Sequence, residues 1–153
     1  MLGRAGQTLN LHEKERWLLD VALDHLSLGR AHQPGSAEAA DHLDLAVSGL
    51  RRAGFLTHLA SGLLARAAHF RHTRDFDKSQ HDLDEVRILA TRCGMRLHLT
   101  DYHLEQARLL LMQQRPEDAG AHYESAKKLV EETGYHRRDP EIAELKTQLG
   151  LSD

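Results

Sequence analysis

Twelve histidines in a chain of 153 residues make metal binding the first chemistry to consider. His69 and His72 lie three positions apart, so on a helix they share one face. A neighbouring helix could complete the nitrogen and oxygen ligand set of a zinc site, and its candidate ligands are His98, Asp101, His103 and Glu105. However, the chain has no His-Glu-x-x-His pattern and no pair of cysteines, and histidines on amphipathic helices usually face solvent. The sequence therefore predicts neither a metal nor a cofactor, with a site of His69, His72 and His103 as the alternative.

Cys93 is the single cysteine and the first candidate nucleophile, with His98 close by in sequence. It comes just before Gly94, at the expected C-terminus of a helix, where the helix dipole does not stabilise a thiolate. No serine lies in a nucleophile elbow, and no glycine-rich phosphate loop is followed by Lys and Ser or Thr. We therefore expect no enzymatic activity.

Charge and composition limit the classes of partner. The formal net charge is −3 with acidic and basic residues mixed along the chain, so no basic surface is expected to attract nucleic acid or anionic lipid. No apolar stretch approaches the length that crosses a membrane. A single cysteine cannot form an internal disulfide, which is typical of proteins in a reducing compartment. We expect a cytoplasmic protein that binds a protein or peptide, and neither nucleic acid nor membrane.

Glycines recur at a constant step of forty residues, at Gly54, Gly94 and Gly134. A glycine just past a helix adopts the left-handed conformation easily, so each of the three is expected to end a helix. The same step aligns Leu64 with Leu104, and further pairs of apolar and charged residues coincide. The chain is therefore predicted to repeat a unit of forty residues.

Each unit is expected to be a helical hairpin because a turn signal divides it. In the third unit the signal is Arg115-Pro116-Glu117, which places a proline at the first position of a helix. The predominance of Leu and Ala over β-branched residues favours helices throughout. The predicted hairpins cover about residues 11–53, 55–93 and 95–133, and a capping helix covers about residues 140–149. The prediction is one all-α domain of about seven helices, with Trp17 in the core of the first hairpin.

Residues of the third unit resemble the packing positions of a tetratricopeptide hairpin. Ala107 is similar to the small residue of helix A in that family. Ala119, Tyr123 and Ala126 resemble the small, aromatic and small residues of its helix B. The second unit keeps a small residue, Ala67, in helix A but lacks the aromatic residue of helix B. The resemblance covers most of the chain, and it implies a right-handed α-solenoid of three hairpins plus the capping helix.

Three shorter segments resemble a more specific group of proteins. Residues 28–31, 49–54 and 133–141 are similar to segments in the C-terminal repeat regions of large bacterial signal-transduction NTPases. The forty-residue period also exceeds the usual tetratricopeptide repeat of about 34 residues. This resemblance implies a docking or sensing arm whose chemistry belongs to a separate nucleotide-binding domain. The chain is interpreted as such a repeat region or as a stand-alone relative of one.

The family resemblance also implies where a partner binds, because helices A of a tetratricopeptide stack line a concave groove that holds peptide or protein ligands. The side chains placed in this groove are Arg30, Ser61, Leu64, Arg71, His72, Asp101, Leu104, Glu105, Arg108 and Met112. The alternative to docking is self-association into a homo-oligomer through an incompletely covered end of the stack.

Overall fold

A computed structural model describes residues 4–151 of the chain, without the side chains of residues 5–7 and 9. These residues form seven α-helices and no strand. The helices are α1 (Arg4–Ala31), α2 (Ala37–Ala53), α3 (Leu56–His72), α4 (Phe76–Arg92), α5 (Arg96–Met112), α6 (Pro116–Thr133) and α7 (Asp139–Gln148), with one turn of 3₁₀-helix at His136–Arg138. The prediction of an all-α protein with seven helices is confirmed, although α1 begins before the expected residue 11. None of these helices is both long and apolar enough to cross a membrane.

The three glycines at the forty-residue step follow α2, α4 and α6. Gly54, Gly94 and Gly134 have φ angles of 74°, 65° and 70°, which lie in the left-handed region. The prediction that each glycine ends a helix in this conformation is therefore confirmed.

The turns inside the hairpins also use the left-handed region, but mostly without glycine. Gly35, Arg74 and Gln114 have φ angles of 89°, 61° and 60°. After the turn at Arg74, the Asp75 N–H donates to the carbonyl of Phe70 at 2.9 Å, which closes the end of α3. Arg74 and Gln114 thus occupy equivalent places one repeat apart, where a side chain is accepted despite the strain.

The starts of the second helices in each hairpin are fixed by local chemistry. The Ser36 hydroxyl accepts a hydrogen bond from the Ala39 N–H at 3.1 Å at the start of α2. The Asp75 carboxylate accepts one from the Lys78 N–H at 3.3 Å at the start of α4. Pro116 begins α6, where its missing N–H leaves no bond unmade. Such caps satisfy backbone groups that have no partner within the helix.

The helices lie in two layers. Each helix packs against the next one in the chain, and contacts two helices apart join α1 to α3, α3 to α5 and α5 to α7. Within the described residues, α2, α4 and α6 make no comparable contact with one another. Therefore α1, α3 and α5 lie side by side in one layer, and α2, α4 and α6 form the other.

The apolar core runs between these layers. Its first part joins α1 through α4 and reaches α5 at Tyr102 and Leu109. Its second part joins α5, α6 and α7. Leu145 of α7 is fully buried in the second part, so α7 covers an apolar surface that α5 and α6 leave open. Burying one such leucine contributes about 1.5–3 kcal/mol to stability.

Small residues allow α1 and α2 to approach closely. A Cβ atom on Gly49 would lie 2.8 Å from the Cβ of Ala22, and one on Gly29 would lie 2.8 Å from the side chain of Leu43. Both distances are shorter than a normal carbon–carbon contact. These two glycines therefore set the spacing and the register of the first helix pair.

The prediction that Trp17 lies in the core is wrong, because its side chain is 63% exposed. Since Gly49 lies on Ala22, the end of α2 at Ala53 lies about one turn further toward the start of α1. The N-terminal part of α1 therefore extends past its partner helix, and Trp17 has no helix of the described chain to cover it.

Candidate functional site

Side chains from α1, α3, α5 and the C-terminal segment line a cleft of about 180 Å³. We call it the charged cleft; its lining residues are Arg30, Ser61, Leu64, Ala65, Asp101, Leu104, Glu105, Arg108, Arg138 and Glu141. Residues on α3 and α5 contribute at steps of three and four positions, which place them on one face of each helix. The cleft thus lies on the layer formed by the first helices of the hairpins.

A second cleft of about 600 Å³ adjoins the first and shares Arg108 with it. This adjoining cleft is lined by Arg71, His72, Arg108, Leu111, Met112, Glu144 and Gln148. All ten residues that the sequence places in a groove line one of these two clefts. Arg138, Glu141, Glu144 and Gln148 were missed because the sequence suggested α7 only as a lid. The signal was present in the polar side chains at steps of three and four along that segment.

The two clefts carry as many positive as negative side chains. The four arginines are Arg30, Arg71, Arg108 and Arg138, and the four carboxylates are Asp101, Glu105, Glu141 and Glu144. The net charge of the two clefts therefore does not indicate whether a partner is acidic or basic. That depends on which charged side chains form no ion pair within the protein.

Arg138 binds two of the carboxylates. Its Nε donates to Asp101 at 2.7 Å and its Nη1 donates to Glu141 at 2.7 Å. Burial disfavours the charge of Arg138, but the hydrogen bond and attraction of Asp101 outweigh this effect and raise the arginine pKa. The pair connects α5 to the start of α7, so it positions the C-terminal wall of the charged cleft.

Glu105 holds two further arginines. Arg71 donates to it from Nε at 2.5 Å, and Arg108 lies 3.6 Å away. Arg108 also approaches Glu144 at 3.8 Å. The side chain of Glu105 is 8% exposed, so this carboxylate depends on its arginines for compensation. Arg71 and Arg108 are therefore committed within the protein and are poor candidates for free partner-binding cations.

Arg30 is the arginine of the clefts that makes no ion pair with a described residue. Its Nη2 donates to the Ser61 backbone carbonyl at 3.4 Å. Burial lowers the pKa of Arg30, and the nearby Asp101, which is already bound to Arg138, opposes this shift. Arg30 therefore offers a partly desolvated positive charge to a ligand.

The structure does not bring His69, His72 and His103 together. His69 accepts a hydrogen bond from the Gly35 N–H, whereas His103 lies between α5 and α6 with its Nδ1 2.8 Å from Nδ1 of His122. In the part of the chain that the structure describes, no group of three His, Cys, Asp or Glu side chains is placed to hold a metal ion. The alternative metal site therefore lacks its geometric basis.

No family model, no curated protein and no solved structure matches this chain. The resemblance to tetratricopeptide repeats and to signal-transduction NTPases therefore stays a prediction from the residue pattern.

Proposed function

We propose that the chain is a tetratricopeptide-like α-solenoid that docks a peptide or protein partner in the charged cleft and the adjoining cleft. The division into two layers, with α1, α3 and α5 side by side, supports this architecture. The burial of Leu145 supports the role of α7 as the cap of the C-terminal end. In this view the chain is a non-catalytic docking or sensing part of a bacterial, cytoplasmic signalling assembly.

The observation that carries the proposal is that the guanidinium of Arg30 forms no ion pair with a described residue. The other three arginines of the clefts are bound to carboxylates of the protein itself, and Arg30 is bound only to a carbonyl oxygen. A partner that brings a carboxylate can form a charge-assisted hydrogen bond with Arg30 without breaking an existing pair. The expected partner is therefore a peptide with an acidic group at the position that meets Arg30.

Selection from a phage-displayed library of random peptides tests this function. We expect the wild-type chain to enrich peptides with a shared acidic position, and Arg30→Glu to lose that enrichment. Arg52→Glu is the matched control, because Arg52 is exposed on α2 and changes the net charge equally. Ser61→Glu should also lose the enrichment, because it offers Arg30 a carboxylate from within the protein. Enrichment of no peptides, or of the same peptides by Arg30→Glu, would contradict the proposal.

Self-association is the second candidate, and the exposed side of α1 favours it. Lys14, Trp17, Val21, Asp24 and Leu28 recur at steps of three and four residues and form one stripe of the helix. Trp17 and Leu28 are exposed large apolar residues in this stripe. In an antiparallel pair of α1 helices, Lys14 of each copy lies opposite Asp24 of the other, and Trp17 opposite Val21. The charges of the stripe thus complement a second copy of the chain.

A charge exchange tests this pairing. Lys14→Glu and Asp24→Lys should each weaken association, measured by sedimentation equilibrium, and the double variant should restore it. Lys14 and Asp24 are about 15 Å apart along one helix, so restoration has to arise between copies. A wild-type chain that stays monomeric at high concentration, or a double variant no better than the single ones, would exclude the pairing.

A further inference from the structure

A small apolar pocket of about 200 Å³ lies on the other side of Arg30, between the end of α1, the start of α2 and the second half of α3. Its apolar wall consists of Gly29, Pro34, Ala39, Leu43, Ala65 and Ala68. These residues have short side chains except Leu43, and the helices leave space between them. The size is close to that of apolar cavities of about 150 Å³ that hold one benzene molecule.

His69 supplies a polar group inside this pocket. The residue is only 6% exposed, and its Nδ1 accepts a hydrogen bond from the Gly35 N–H at 3.3 Å. Because Nδ1 is the acceptor, the neutral ring carries its hydrogen on Nε2. Burial also lowers the pKa of His69, which favours this neutral ring.

The Nε2–H of His69 has no acceptor among the residues that the structure describes. All fully buried side-chain nitrogens and oxygens in that part of the chain are hydrogen bonded, so this N–H is open to the pocket that His69 lines. Because this N–H faces the open pocket, a ligand oxygen there can accept its hydrogen bond in place of water.

Arg30 lines both this pocket and the charged cleft. The pocket therefore combines an apolar wall with the imidazoles of His32, His69 and His72 and with the guanidinium of Arg30, which has no carboxylate partner among the described residues. Few polar groups on an apolar wall are the usual composition of a small-molecule site.

We propose that this pocket binds a small aromatic carboxylic acid, with the ring against the apolar wall and the carboxylate between His69 Nε2–H and Arg30. One oxygen accepts the hydrogen bond of His69, and the other pairs with the guanidinium. A bound acid occupies Arg30 and so competes with an acidic partner in the charged cleft. This competition rests on the proposed docking function, whereas the binding of the acid does not.

Titration calorimetry of the full chain with benzoate at neutral pH tests the site. We expect benzoate to bind with a dissociation constant on the order of 1 mM or tighter, as its few atoms permit. Benzyl alcohol, which lacks the negative charge, and acetate, which lacks the ring, should each bind at least about tenfold more weakly. No heat of binding from benzoate, or equal binding of benzyl alcohol, would overturn the proposal.

Three variants separate the contributions of the pocket. Ala68→Leu fills the space with a good helix former and should abolish benzoate binding. Arg30→Gln should weaken it about tenfold. His69→Asn keeps an oxygen in the place of Nδ1 for the Gly35 N–H but loses the Nε2–H, and it should weaken binding about fivefold. Unchanged binding in Ala68→Leu would show that benzoate binds elsewhere.

A measurement on the wild-type chain makes the test independent of how the variants fold. Nuclear Overhauser effects should connect the ring protons of benzoate to the methyl groups of Leu43 and Ala39. Their absence in a sample saturated with benzoate would also overturn the assignment.

The same experiments distinguish this proposal from peptide docking. Ala68 lines the pocket and not the charged cleft, so Ala68→Leu should leave acidic peptides bound. Peptide binding without benzoate binding would exclude the acid site and leave the docking function. Benzoate binding without peptide enrichment would exclude the docking function and leave the acid site.

Discussion

The most deeply buried carboxylate of the described residues is that of Asp82, which is 1% exposed. Arg66 donates to both of its oxygens, from Nε and Nη2, at 2.8 Å each. Arg66 also bonds Asp44 at 3.0 Å, so this one guanidinium connects α2, α3 and α4. A buried charge that loses its partner is strongly destabilising, whereas an exposed pair contributes little.

We predict that Arg66→Met lowers the free energy of unfolding by about 3 kcal/mol, because the buried Asp82 loses both of its hydrogen bonds to a cation. Arg51→Met is the control, since the half-exposed Arg51 and Glu85 form a similar bidentate pair, and it should cost less than about 1 kcal/mol. The double variant Arg66→Met with Asp82→Leu should recover most of the loss. Urea unfolding followed by circular dichroism measures all three. Equal losses for Arg66→Met and Arg51→Met would disprove the distinction.

The pair of His103 and His122 makes stability depend on pH. Burial and, to a smaller extent, the charge of His122 lower the pKa of His103 to about 4. The unfolded chain has a histidine pKa of about 6.5, so on acidification the unfolded state binds the proton first. The stability that neutral His103 contributes is therefore complete above about pH 6.5 and is lost progressively down to about pH 4.

We predict that His103→Asn reduces the loss of stability between pH 7 and pH 5 by about 1 kcal/mol, a value discounted for the partial exposure of the ring. Urea unfolding at the two pH values measures the difference. Substitution of the exposed His12 by Asn is the control, because it removes one imidazole and leaves the pair of His103 and His122 in place. The same pH dependence in His103→Asn and the wild-type chain would be the contradicting result.

At the scale of the helices, the residues with a left-handed backbone in the turns are of two kinds, glycines and residues with a side chain. Gly54 adopts its φ of 74° without strain, whereas Arg74 and Gln114 adopt φ near 60° with a side chain. The left-handed conformation costs a residue with a Cβ about 1–2 kcal/mol, and glycine loses part of this advantage through its more flexible unfolded state.

We predict that Arg74→Gly and Gln114→Gly each raise the free energy of unfolding by about 0.5–1 kcal/mol. Gly54→Ala is the converse substitution and should lower it by about 1 kcal/mol. Thermal unfolding of the three variants beside the wild-type chain gives the comparison. A loss of stability in both glycine variants would show that these turns are not strained.

The sequence predicts where the turns within the hairpins lie, but it predicts left-handed backbone only at the glycines that end the hairpins. Glycine is the residue that adopts the left-handed conformation most easily, so residue type and spacing alone identify these positions as Gly54, Gly94 and Gly134. At Arg74 and Gln114 the residue type gives no such signal, because the conformation follows from how the two helices pack.

At the scale of the whole molecule, the short helix α7 contributes both to the apolar core and to the charged cleft. It buries Leu145 against α5 and α6, and the segment before and within it supplies Arg138 and Glu141 to the charged cleft. The described part of α1 makes no contact with α5, α6 or α7 comparable to those between neighbouring helices. A destabilising substitution at the C-terminal end should therefore affect the neighbouring helices and leave the stability of α1 and α2 unchanged.

We predict that Leu145→Ala costs about 2–5 kcal/mol, because it leaves a cavity in a fully buried position. Amide hydrogen exchange should show faster opening in α5 and α6, with protection of α1 and α2 unchanged. Leu151→Ala at an exposed position is the control and should change neither quantity. Uniform loss of protection along the chain would contradict the local coupling expected of a solenoid.

The predicted groove residues were placed by the family resemblance, counting from the small residues Ala67 and Ala107, and all ten line one of the two clefts. Two features could not be found in this way. The pairing of Arg71 with Glu105 depends on side-chain geometry, which a spacing argument does not contain. The exposure of Trp17 depends on where α2 ends relative to α1, and this register is set by the contact of Gly49 with Ala22.

The exposure of Trp17 has a spectroscopic consequence. It is the single tryptophan of the chain, and its indole already meets water in the folded state. Its fluorescence emission should therefore resemble that of an indole in water and change little when the helices unfold. Anything that covers this side of α1, such as a second copy of the chain, should shift the emission to shorter wavelength. One intrinsic fluorophore thus reports on contacts at the N-terminal end of the protein and is nearly insensitive to the rest of the fold.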